Sequence, residues 1–298
     1  MVEVPYLKGM MTRSFSASLS LLVALSANPA HAQEINTGVL ADHVQTGYGA
    51  PALNGHYLNF YYADETAVLG TDAASGFALD GGALQPFTDA DTTDLNFDGF
   101  AAPDAATVRA SVEGKPYVAT FVQDGEQASY TSQYTASFQA MPPHAFYITS
   151  ATTGGTPAYW DGNGRLVLDV NSTYTLNFNT FATQPDFMSL GLYGPGVDVE
   201  REAFAVNGDA AIVTQVINAG DLVAGALYDG ELLVAEADLA GESGLLQVGT
   251  ASMNVSAINY QGMLTEVEIL AVPEPASYAL IFGALVLGFG AVRHRGRR

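Results

Sequence analysis

Tyr174-Thr175-Leu176-Asn177-Phe178 decides the fold class. Tyr, Leu and Phe alternate with Thr and Asn, and a repeat of two is what a strand with one buried face produces. A helix would need apolar positions three and four apart. Working outward, alternating or apolar runs recur at 57–62, 117–122, 129–138, 145–149, 165–170 and 187–192. They continue at 211–217, 222–227, 232–235, 245–248, 252–260 and 264–270. Gly, Asn, Asp and Pro separate them at short spacing, as tight turns require. The expectation is an all-β fold, an antiparallel β-sandwich or jelly roll, over residues 33–271. The stretch 71–106 is rich in Gly, Ala and Asp and poor in periodicity. It reads as a loop insertion, and 194–207 as a second connection.

Both ends differ from this body. At the C-terminus, Val272-Pro273-Glu274-Pro275 precedes an uncharged apolar run, 276–292, and then Arg293, Arg295, Arg297 and Arg298. Seventeen residues of helix span about 25 Å, close to a hydrocarbon core of roughly 30 Å. Arginine side chains can snorkel to cover the difference, and their charge holds that end in the cytoplasm. Pro273 and Pro275 keep the segment before the span extended. The order of motif, span and basic stop resembles the PEP-CTERM sorting signal of Gram-negative bacteria. The resemblance is confined to 272–298. It implies recognition by an exosortase, cleavage near Pro-Glu-Pro, and release or attachment at the cell surface, often beside exopolysaccharide.

At the N-terminus, Lys8 and Arg13 precede a moderately apolar stretch, and Ala30-His31-Ala32 is the small-residue pattern of a signal peptidase site. The mature chain is expected to start at Gln33, with 1–32 removed as a signal peptide. Met10 and Met11 are also candidate starts.

The whole chain of 298 residues carries 31 acidic against 10 basic residues, a net charge of −21. Between the two ends, 29 acids face only Arg109, Lys115, Arg165 and Arg201, so the body's net charge is −25. Nucleic acid is excluded as a partner, because phosphate binding needs a basic face. There is no cysteine, so disulfides, thiol catalysis and zinc–thiolate sites are excluded too. An exported chain of this kind must be held together by its core.

Asp89-Ala-Asp91-Thr-Thr-Asp94-Leu-Asn96-Phe-Asp98-Gly99 is the strongest local motif. Asp94-x-Asn96-x-Asp98-Gly99 matches the first half of an EF-hand-like calcium loop, where alternate oxygen-bearing side chains converge on a hard cation. The bidentate Glu of such loops would fall on Ala105, beside Asp104. Calcium is the one cofactor this points to, with Asp89, Asp91 and Asp104 as further ligands; a solvated acidic turn is the alternative. Tyr159-Trp160, adjacent aromatics before the turn Asp161-Gly-Asn163-Gly, can stack on sugar rings, although a single tryptophan more often fills a core. His43, His56 and His144 are too widely spaced for a local metal motif. Gly241-Glu242-Ser243-Gly244 lacks the spacing of a nucleophile elbow. No carboxylate pair is singled out among the 29.

These readings favour an exported surface or matrix protein with a structural or adhesive role and no catalysis. A carbohydrate-binding module is the alternative, and a secreted glycan hydrolase comes behind it. The partners implied are signal peptidase, exosortase, the membrane before processing, and exopolysaccharide.

Overall fold

The computed structural model describes residues 33–64, 66–135, 141–205 and 208–273. Its elements are β1 Gln33–Val44, β2 Ala52–Asp64, β3 Leu69–Gly70, β4 Gly76–Leu79, β5 Asp89–Ala90, β6 Asp94–Ala102, α1 Ala105–Val112, β7 Pro116–Gln123 and β8 Glu126–Gln133. They continue with β9 Ile148–Thr153, β10 Thr156–Pro157, β11 Tyr159–Trp160, β12 Leu166–Asp169, β13 Tyr174–Phe178, β14 Phe187–Gly194, β15 Val197–Phe204, β16 Thr214–Ile217, β17 Leu227–Val248 and β18 Ala251–Val272. The protein is all-β, as expected. Tyr174, Leu176 and Phe178 are buried, and Thr175 and Asn177 face outward.

The spine is the hairpin β17–β18, two strands of 22 residues each. Each absorbs two of the runs expected as separate strands. The apparent breaks are glycines that serve the sheet. The β17 ladder shifts register between Asp238 and Glu242, and Gly262 lets Leu40 and the Val234 carbonyl approach within 3.0 Å of where a Cβ would stand. Among the described residues twelve further strands join this spine in one sheet of fourteen, with the path β3-β7-β8-β17-β18-β1-β2-β6-β5. β14 and β15 extend from the other half of β17, and β12 from the end of β18.

The sheet is mixed, and this corrects the antiparallel expectation. β1 pairs with β18 in parallel from Asn36↔Ile258 to Val44↔Glu266, and β12 pairs with β18 in parallel as well. Pairing partners far apart in sequence leave no trace in local periodicity. The expected connection at 194–207 is also corrected: it holds β15, which folds back on β14 through Pro195-Gly196.

One face of the sheet covers two cores. At one end the sheet curls into a half-barrel. The curl brings Tyr117 of β7 across to Phe60 of β2, with rings 5.8 Å apart, and to the Thr37 hydroxyl at 2.8 Å. Phe77, Phe97, Tyr130 and Leu246 fill this interior, and α1 contributes Val108 and Val112. At the other end a second sheet, β10-β9-β13-β16, packs over β12, β14 and the spine and buries Phe146, Leu176, Met188 and Ile269. That half is a two-layer sandwich. Asn259, Gln261 and Thr265 of β18 lie between the two cores, fully buried.

Candidate functional site

The 71–106 stretch is not a loop insertion. It holds β4, β5 and β6, and β6 lies in the sheet beside β2. Alternation of Asp94, Asn96 and Asp98 with Leu95 and Phe97 is strand periodicity. Leu95 and Phe97 enter the half-barrel core, and the polar three share the opposite face. On a strand, residues two apart are separated by nearly 7 Å, and Asp94 and Asp98 by about 13 Å. A single ion coordinated at about 2.4 Å cannot gather all three. Asp91 accepts instead from the Thr93 and Asp94 amides at 2.6 and 2.9 Å. Asp89 accepts from the Ala90 amide. Asp104 is the N-cap of α1 and accepts from the Thr107 amide at 2.8 Å. No group of three or more His, Asp or Glu side chains suited to a metal ion occurs among the described residues.

Asn96 and Asp98 belong to a different arrangement. Tyr260, Gly38, Asn59 and Asp98 fall on one line across β18, β1, β2 and β6. The Tyr260 ring lies over Gly38, where a Cβ would come within 2.4 Å of it. Its hydroxyl donates to Asn59 Oδ1 at 2.6 Å. Asn59 Nδ2 donates in turn to Asn96 Oδ1 at 2.7 Å and to Asp98 Oδ1 at 2.9 Å. Only glycine at position 38 lets an aromatic side chain span β1 in this way.

Carboxylates crowd the same face of the spine. Glu231 stands directly opposite Glu266, and Asp229 opposite Glu268. Asp42 of β1 and Asp98 of β6 point to this side. Burial pushes the Glu231 carboxyl up to about 8, reinforced by Glu266, Asp229, Asp98 and Glu200. Burial, with Asp42 and Asp229, pushes Glu266 up to about 7. Burial raises Asp98 to about 6 against the hydrogen bonds from Asn59 and Asn96. Asp98 and Glu231 lie four strand positions apart, at least about 19 Å in a flat sheet. Asp98 nonetheless adds to the proton affinity of Glu231. Leu40, Phe187, Leu233 and Leu264 form the apolar floor of this face. Glu231 Oε2 and Asp42 Oδ1 are enclosed without a hydrogen-bond partner. At neutral pH the Glu231 carboxyl in this cluster keeps its proton. Sequence spacing does not reveal the cluster, because its members come from five strands.

The aromatic pair separates. Trp160 packs on the sandwich core with its ring 5.8 Å from Tyr48, edge to face. Tyr159 is 61 % exposed. The following turn is held by Asp161, which accepts from the Asn163 and Arg165 amides and pairs with the Arg165 guanidinium at 2.6 Å. His43 and His144 line a cavity of about 770 Å³ with Tyr147, Asn179 and Met263. Burial lowers the proton affinity of His43. Asn179 is fully engaged there by the Tyr147 amide, His144 and the Ala145 carbonyl. His56 bonds the Pro103 carbonyl, away from this cavity.

Gln33 opens β1, and Val272 closes β18. Ala30, Ala32, Glu274, Pro275, the 276–292 span and Arg293, Arg295, Arg297 and Arg298 lie outside the described residues. Among the described residues no helix is long and apolar enough to cross a membrane. No protein-family model, no curated protein and no solved structure matches the chain.

Proposed function

We propose that this is an exported protein, sorted through its C-terminal tail by an exosortase, with a structural or adhesive role at the cell surface or in its matrix. The observation that carries the reading is the continuity of β18 with the sorting motif. β18 pairs with β17, β1 and β12, and it runs without a break into Val272-Pro273. A tail placed there hangs from the best-anchored strand of the body. The acidic surface suits an extracellular setting, where salt screens self-repulsion.

Intact-mass analysis of the surface-exposed form tests the sorting step. The expected mature chain begins at Gln33 and ends near Pro275. Retention of Arg298 in most molecules would reduce the tail to a simple anchor.

A further inference from the structure

The strands of the four-stranded sheet carry no charge of their own: 148–153, 156–157, 174–178 and 214–217 include no Asp, Glu, Lys or Arg, in a body with 29 acids. One cation reaches the sheet's edge, where the Arg201 guanidinium donates to the Thr214 carbonyl at 2.8 Å. Most of the residues facing outward in register carry hydroxyl or amide groups, with Pro157 and Val216 the apolar members. Thr152 lies opposite Thr175, which lies opposite Val216; Ser150 lies opposite Asn177, which lies opposite Thr214. All six are exposed or half-exposed. Asn177 Nδ2 donates to the Ser150 hydroxyl at 3.0 Å, which aligns that row.

Tyr159 lies beyond the edge of this sheet, in β11, which pairs with β12 of the larger sheet as Tyr159↔Val167. The Ala158 amide donates to the Ala151 carbonyl and so continues the β10–β9 ladder by one residue. Ala158 points into the core, and the next side chain points away from it. At 61 % exposed, Tyr159 is the most open aromatic ring among the described residues; Tyr48 follows at 39 %.

We infer that this face binds a neutral polysaccharide. The chain would cross the strands from the Tyr159 ring over Ser150 and Asn177 to Thr214. Ser150, Asn177 and Thr214 stand on neighbouring strands about 4.8 Å apart, roughly 10 Å in all, with the Tyr159 ring beyond the sheet's edge. Stacking needs an exposed ring, and sugar hydroxyls need side chains that both donate and accept, which Ser, Thr and Asn do. Charge selects the class. A polyanion would be repelled by the body's net charge, and a polycation would prefer the carboxylate-rich surfaces elsewhere. This deepens the adhesive reading by naming what is adhered to. It is measured on purified protein, so it stands or falls separately from tail cleavage.

The test is affinity electrophoresis of the full-length chain in mild detergent. The gels contain hydroxyethyl cellulose or dextran as neutral glycans, or alginate as an anionic one. At least one neutral glycan should retard the protein, and alginate should not. Tyr159→Ala should weaken retardation about tenfold, the equivalent of one stacking contact. Thr214→Val removes a hydroxyl on that path at nearly constant shape and should weaken it too, with the melting temperature of either variant unchanged. Three results would overturn the inference: no retardation by either neutral glycan, retardation of both variants equal to the parent, or equal retardation in alginate.

Discussion

Removing the Asn59 amide strands several groups at once. The Tyr260 hydroxyl loses its acceptor, and Asn96 and Asp98 lose a shared donor. Asn59→Ala should therefore cost about 2–4 kcal/mol, since each buried group left unsatisfied costs about 1–3. It should also raise the proton affinity of Asp98 further, because the hydrogen bond from Asn59 is what opposes burial there. Gly38→Ala acts on the same row by steric means. Its methyl would sit 2.4 Å from the Tyr260 ring, and overpacking of this kind costs about 1–3 kcal/mol. Denaturant unfolding measures both. Wild-type midpoints for both variants would mean that the row contributes nothing to stability.

Among the elements, β6 shows where sequence is ambiguous. Asp-x-Asn-x-Asp serves a calcium loop and a strand equally well, because both place every second side chain on one side. Leu95 and Phe97 were the deciding signal: a ligand loop has no use for two large apolar residues in alternate positions. The 174–178 strand was legible because its polar residues are uncharged and carry no competing motif. The parallel docking of β1 on β18 and the gathering of Asp42 and Asp98 with Glu231 and Glu266 were not legible, since both depend on one pairing more than 200 residues apart in sequence, that of β1 with β18. Asp104 is better assigned as a cap. Asp104→Ala should destabilise by about 0.5–2 kcal/mol, and equally with and without calcium. Calcium should shift the melting temperature no more than magnesium at equal ionic strength. A calcium-specific shift lost in Asp104→Ala would restore the ligand assignment.

For the whole molecule, pH is the main variable. Glu231, Glu266 and Asp98 have folded-state affinities near 8, 7 and 6, against about 4 in an unfolded chain. The native state therefore binds more protons than the unfolded state between these limits. Stability is fully present below about pH 4 for these groups and falls as pH rises through 6 to 8. The melting temperature should be several degrees higher at pH 5 than at pH 8. Glu231→Gln should raise it at pH 8 and flatten the dependence; a variant with the parent's slope would remove this pair from the account. The parallel pairing of β1 with β18 also has a mechanical consequence. Asn36 is level with Ile258 in register, so the start of this pairing lies up to roughly 46 Å along β18 from Val272. Tension applied between the two chain ends pulls these neighbouring strands past each other lengthwise. The hydrogen bonds linking them lie across the pull and are loaded together, in shear, rather than opened one at a time. A body held at Val272 and tugged from its far pole would resist as a clamp.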